Sequence, residues 1–221
     1  MQDDGRYGNA SLAVESVISW FSKRLIEPHR ELGRNGAVCP YLETAMADGR
    51  AALNVIRVTG PQDAGRLSDA ALAWLPRIAG AGDVARQYET VVFVPVGAGH
   101  PVLSALVVAA QRELRSAAIL SGHMIGDFLP GHEGPGLHNP SFRPLDSPWP
   151  LLGIRTMVEA DILFLGSPDI PPADRRAFTD AWQGFFAGRA SRRFASAYER
   201  CRDELDRAEP QAPSRDPKGG Q

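Results

Sequence analysis

Residues 123–165 read HMIGDFLPGHEGPGLHNPSFRPLDSPWPLLGIRTMVEADILFL, and this stretch carries three of the chain's five histidines and six of its 18 prolines. Two short apolar segments bracket it. MIGDF, within His123–Phe128, and LLGIRTMV, Leu151–Val158, both have strand character. A Pro/Gly-punctuated loop of roughly twenty residues joins them, and loops of that length inside a compact domain more often serve function than connection. Pairing the two segments back to back across the loop makes at least part of the sheet antiparallel. Leu137, Phe142, Leu145 and Trp149 are expected to anchor the loop, and its polar residues are the first place to look for a site.

Working outward, Tyr88 to Val96 (YETVVFVPV) is the strongest strand in the chain. Its unbroken apolar run predicts an interior position, with Pro95 near the end because proline cannot donate to a ladder. Ala51 to Thr59 is a further strand, closed by Gly60-Pro61. Between these lie helical patterns. One runs from Ser11, the expected N-cap, to about Ile26, and Pro28 stops it. A second opens at Asp63 and runs to about Leu75, with Leu67, Ala71, Leu72 and Leu75 as the buried stripe. A third covers His100 to about Leu120, with Leu103, Leu106, Val107, Leu114 and Ala118 inward.

Ala160–Leu165 reads as a strand end or a packed turn. Pro172 then starts helical pattern that continues to about Glu209, broken near Gly188. It carries the aromatic stripe Phe178, Trp182, Phe185 and Phe186, which either covers the sheet or forms a homodimer interface. The predicted fold is α+β: one domain over residues 10–209, a mixed or antiparallel sheet of about four strands covered by helices, and a helical C-terminal segment. Residues 1–9 and 210–221 are polar and expected to be disordered.

Composition narrows the partners. Hydrophobic content of 43%, charge content of 23% and a net charge of −2 are ordinary globular values and give no basic footprint for nucleic acid or a membrane surface. No apolar run reaches the ~20 residues a bilayer span needs. The polar start lacks the features of an export signal, so a cytoplasmic location with Cys39 and Cys201 as free thiols is expected. The chain has no Walker or dinucleotide glycine loop and no HExxH, CxxC or GxSxG motif; a mononuclear zinc site is left open, with no two histidines at ligand spacing on one element.

The residues left to carry chemistry are few. Cys39-Pro40 has three readings: a thiolate ligand to haem iron, a nucleophile beside a base such as His29, or a small buried apolar residue. His138 and Asn139, on a loop stiffened by Pro135, Pro140 and Pro144, suit a metal ligand or general base; equally, Asn139 can shape the turn. Arg143 is either a structural bond to Asp146 or Asp127 or a clamp on a carboxylate or haem propionate. Arg155, inside an apolar strand, needs a partner, and Asp127 on the facing strand is the expected one. His123 reads as a satisfied core or edge residue, and His132 as exposed and flexible.

The block Gly136-Leu137 with Asn139–Met157, the early Gly36 with Cys39-Pro40-Tyr41, the strand Gly126–Pro130 and the closing DILFL of 161–165 together resemble a family of small bacterial proteins of unknown function. That family looks like one found beside biosynthetic tailoring enzymes. Its early CP motif is reminiscent of the YqcI/YcgG-like haem-dependent N-oxygenases. The resemblance spans roughly residues 29–165. Leu129 and Thr156 stand where that family often has histidines, which leaves Cys39 and His138 as the surviving candidates for axial ligand or metal binding. What the resemblance implies is a haem- or iron-dependent oxidation of a small amino-acid-like substrate, with Arg143 or Arg155 holding its carboxylate. A cofactor-free binding or accessory protein and a Cys39-dependent hydrolase or transferase are the other two expectations.

Overall fold

A computed structural model describes residues 8–78, 80–83 and 86–208; the predicted disorder of residues 1–7 and 210–221 lies outside them. The chain groups into two compact units that divide between Val158 and Glu159.

The first unit is built on a four-stranded mixed sheet. Its strands are β1 (Ala51–Arg57), β2 (Thr90–Val96), β3 (His123–Phe128) and β4 (Leu151–Thr156), in the order β1-β2-β4-β3. β1 runs parallel to β2, while β4 runs antiparallel to both β2 and β3. The expected pairing across the long loop is therefore present, and the YETVVFVPV run supplies an interior strand. Pro95 sits where only one neighbour needs a ladder: β4 pairs with residues 90–93 of β2, and residue 95 faces β1 alone.

Side-chain alternation divides the sheet's two faces cleanly. On one face Val92, Val94, Val96 and Leu151 pack with Ala13 and Val17 of helix α1 (Ala10–Trp20), with Phe21 and Leu25 of a π-helical turn that extends it to Ile26, and with Leu42 of the short helix α2 (Leu42–Ala47). On the other, Val91, Phe93, Leu152, Ile154 and Ile125 pack with Leu67 and Ala71 of α3 (Ala64–Trp74) and with Val107, Ala110, Leu114 and Ala118 of α4 (His100–Leu120). Two local expectations are corrected. Asn9, not Ser11, caps α1, because its Oδ1 accepts the Leu12 N–H at 3.1 Å. Leu72 is 43% exposed, so the stripe of α3 is narrower than the run of leucines suggests.

The loop between β3 and β4 is ordered by burial at its later half. Phe142 and Trp149 are buried, whereas Leu137, expected as an anchor, is half exposed. The Trp149 indole donates to the Pro95 carbonyl at 3.0 Å, and the Trp20 indole donates to the Asp146 carbonyl at 2.9 Å. Trp20 also meets Phe128 edge-on at 5.6 Å. Loop, strand end and α1 are thus tied at three points.

His123, on β3, is buried and hydrogen-bonds through its two ring nitrogens to the Ser121 hydroxyl and the Ile78 carbonyl. Burial holds this imidazole below its ordinary 6.5, against the pull of the Ile78 bond. The sign follows directly: the unfolded chain takes up the proton first, so His123's contribution is complete above the unfolded value and is lost as pH falls toward the folded one. Melting temperature is expected to drop as the medium is acidified below about pH 6.5, with a shallower drop in His123→Gln. Parallel curves for the two proteins would contradict this.

The second unit is helical. It comprises a 3-10 turn at Glu159–Asp161, α5 (Ile162–Leu165), α6 (Pro172–Phe186) and α7 (Arg192–Ala208). The segment Ala160–Leu165, read as a strand end or packed turn, is instead the end of the 3-10 turn followed by the short helix α5. Trp182, fully buried, donates to the Glu159 carbonyl at 3.0 Å and stacks on Tyr198 at 5.7 Å. Exposed ion pairs Arg176–Asp206 and Arg202–Asp180 also join α6 to α7, and pairs of this kind add little to stability. Cys39 and Cys201 are both free thiols, and Cys201 is buried.

Candidate functional site

Three groups of polar residues in the first unit come from the sequence candidates, and the third of them lines a pocket. The first is the loop group. The Asn139 amide donates to the Glu31 carbonyl at 2.6 Å, and its Oδ1 accepts the Ser141 N–H at 2.9 Å. The Arg143 guanidinium donates to the Pro140 and Phe142 carbonyls of its own loop. The Arg143 carbonyl accepts from Arg24, whose guanidinium lies 4.3 Å from the Phe142 ring centre and 3.0 Å from His29 Nε2. These bonds shape a turn and fasten it to the π-helical segment; Asn139 behaves as the turn-forming alternative describes. His138 is exposed.

The second group is Asp127 with His132. His132 Nε2 stands 3.6 Å from an Asp127 carboxylate oxygen. His132 Nδ1 accepts the Gly134 N–H at 2.9 Å, which assigns the ring proton to Nε2, the nitrogen facing Asp127. Nδ1 is occupied, Nε2 lies near the Asp127 carboxylate and the ring is 19% exposed, so His132 is a held loop residue and not the flexible one expected. The expected Arg155–Asp127 ion pair is absent. The ladder sets Arg155 opposite Met124 and Asp127 opposite Leu152. The two are three positions apart across the ladder and point to opposite faces of the sheet.

The third group is a pocket. Cys39, Tyr41, Leu42, Ala45, Tyr88, Thr90, Arg155, Thr156 and Val158 line about 280 Å3 of space that opens to solvent. Its construction follows from the sheet. Thr90 begins β2 directly opposite Arg155 on β4, which sets the two side chains next to each other on one face. Leu42 and Ala45 come from α2, which packs over that face. The Cys39 N–H bonds the Leu25 carbonyl at 2.9 Å, fixing the loop that carries the thiol. Arg155 donates to the Thr156 carbonyl at 3.0 Å, and the Thr90 hydroxyl donates to the Ile154 carbonyl.

The wall is completed by Tyr88 and Tyr41, stacked with ring centres 4.7 Å apart and planes within 10°. Tyr88 holds φ at 75°, the left-handed region, and among the described residues no other non-glycine does so. For an aromatic residue that conformation costs on the order of 1–3 kcal/mol and persists where the surroundings demand it, most often at functional sites.

Residues 14–196 match the family described as Domain of unknown function (DUF6875). The chain belongs to that family. No curated protein and no solved structure matches the chain. The DUF6875 match spans all three polar groups, the sheet and most of the helical unit.

Of the candidates read from sequence, this DUF6875 chain brings only Cys39 and Arg155 to one pocket. His138, Asn139 and Arg143 form the loop group, and Asp127 stands with His132. Tyr41, Tyr88 and Thr90 were not among the candidates. Tyr41 was within reach, two residues past Cys39; the backbone of Tyr88 has no signature in composition or spacing.

Of the two residues expected to hold haem iron, Cys39 lines this pocket and His138 does not. Among the described residues no three His, Cys, Asp or Glu side chains gather as they would around a metal ion. No helix of the described residues is long and apolar enough to cross a membrane.

Proposed function

We propose that the Cys39–Arg155 pocket binds a small carboxylate-bearing molecule of amino-acid size and that the protein acts as a cofactor-free binding or accessory protein. The observation that carries this is the meeting of one guanidinium with an apolar and aromatic wall in one pocket. Ligand sites combine mostly apolar lining with a few polar groups that fix orientation. Arg155 bonds the Thr156 carbonyl, and a guanidinium carries a planar set of donors that matches a carboxylate. No imidazole or carboxylate is among the lining residues described, which favours binding over acid–base catalysis.

Titration calorimetry of the full chain against amino acids and their keto acids tests the reading. Arg155→Gln is expected to weaken the best acid by roughly tenfold or more, the scale of a hydrogen bond to a charged group. Unchanged affinity in that variant would overturn the assignment. The oxidation suggested by the haem-oxygenase resemblance is tested in the same protein, expressed with iron and a haem precursor. A flat visible spectrum is expected; a Soret band that Cys39→Ala removes would replace binding with haem chemistry. A second reading, thiol chemistry at Cys39, is favoured by the position of that half-buried sulfur on the pocket wall. Turnover lost one-for-one with alkylation of Cys39 would establish it.

A further inference from the structure

We infer that β1 is the docking edge for a second copy of this chain, and that the two copies pair antiparallel about a two-fold axis at Asn54. β1 closes one side of the sheet, and β2 is its single neighbour in the strand order. The Thr90 N–H donates to the Arg50 carbonyl at 3.0 Å and the Val58 N–H to the Val96 carbonyl at 2.7 Å. Along a strand in a parallel ladder, successive residues point their main-chain groups to alternate sides, so Ala52, Asn54 and Ile56 serve β2. Ala51, Leu53, Val55 and Arg57 turn their N–H and C=O groups outward, and among the described residues nothing bonds them there.

Natural proteins blunt such an edge with lysine, proline or a bulge. β1 has none of these. Its register with β2 runs unbroken from Ala51 to Arg57, and AALNVI carries neither charge nor proline. Val55 is 37% exposed, and α2, which packs beside β1, leaves Met46 36% exposed. An open ladder with apolar side chains beside it takes an extended chain of the same character. The α6 stripe, the other homodimer surface expected, is already covered at Phe178 and Trp182.

The strand is its own complement. In a two-fold contact, residues equidistant from the axis meet, and Asn54 is the midpoint of the seven residues of β1. An axis there pairs the whole strand, sets Leu53 against the partner's Val55 and keeps Arg57 against the partner's Ala51. It also brings the two Asn54 side chains together. Asn54 is half-buried and its amide has no hydrogen-bond partner among the described residues; an amide carries both donors and an acceptor, so two of them satisfy each other. A register slipped by two residues puts Asn54 against alanine or isoleucine instead, with nothing for the amide to bond.

Sedimentation equilibrium of the intact chain is expected to give twice the mass of one chain. Val55→Lys, a charge placed at an exposed edge position, is expected to give a monomer with an unchanged circular dichroism spectrum. Asn54→Asp and Asn54→Lys each set like charges directly opposite and are expected to be monomeric alone. Mixed one to one they are expected to restore the dimer, which misfolded variants would not do. A wild type that stays monomeric at the highest concentration reached overturns the interface. A dimer that persists in Val55→Lys and in both Asn54 variants overturns it too, because the contact then lies off β1. Folded, monomeric Asn54 variants that fail to associate when mixed overturn the two-fold at Asn54.

Discussion

Replacing Trp149 by alanine is expected to cost about 4 kcal/mol, within the range for removing a buried aromatic side chain. The residue is 1% exposed and belongs to the core on the α1 side of the sheet, with Val94, Val96 and Leu151 among its neighbours in that cluster. Truncation has two parts. It opens a cavity against walls set by strands that cannot close in, and it leaves the Pro95 carbonyl without the indole donor. Trp149→Phe separates the two: it keeps most of the volume and loses the donor, for an expected cost of about 1–2 kcal/mol. Urea unfolding reads both as a lower midpoint at constant slope. Equal losses in the two variants would show that the hydrogen bond, and not the volume, holds this end of the loop. Since total stability is commonly 5–15 kcal/mol, the alanine variant removes a large share of it.

The same residue shows how far sequence could be read. Trp149 and Phe142 stood out as apolar residues in a polar loop, and burial follows from that alone. The strands flanking the loop, the continuous apolar run of β2 and the periodicity of α4 are equally local, because period-2 and period-3.6 patterns are properties of neighbouring residues. What failed was information that needs two distant segments in register. Arg155 and Asp127 lie on facing strands, as expected, but a pair across a ladder also requires the right parity, and only the register decides it. Leu137 reads as apolar as Phe142, yet which of them turns inward depends on the path of the loop. Tyr88 is a harder case. Its strand was evident, while neither the left-handed backbone just before it nor the stack on Tyr41, far away in the chain, has a local signature. The pocket combines two candidates legible from sequence, Cys39 and Arg155, with a tyrosine pair visible only once α2 is placed beside β2.

The loop's histidine supplies the contrasting experiment. His138→Ala is expected to change stability by less than about 0.5 kcal/mol, as for most exposed side chains, and to leave acid binding intact. Gly33→Ala is expected to cost about 3 kcal/mol, although it only adds a methyl group. Gly33 sits at φ 77° as the C-cap of the 3-10 turn Arg30–Leu32, and alanine there pays a left-handed cost of about 1–2 kcal/mol. The added Cβ would also lie 2.6 Å from the His138 carbonyl oxygen and 2.9 Å from its carbon. Those are backbone atoms, so relief requires moving the loop. That movement is resisted by the bond from Asn139 to the Glu31 carbonyl and by the tilted contact of His29 with Phe142, ring centres 4.8 Å apart. The segment from 29 to 33 and the loop from 138 to 143 therefore fit one another through main chain and rings, with the imidazole of His138 left outside. Chemical denaturation of both variants decides the matter. A Gly33→Ala protein as stable as the wild type would mean that the loop shifts at little cost; a His138→Ala protein that loses binding would return the site to the loop.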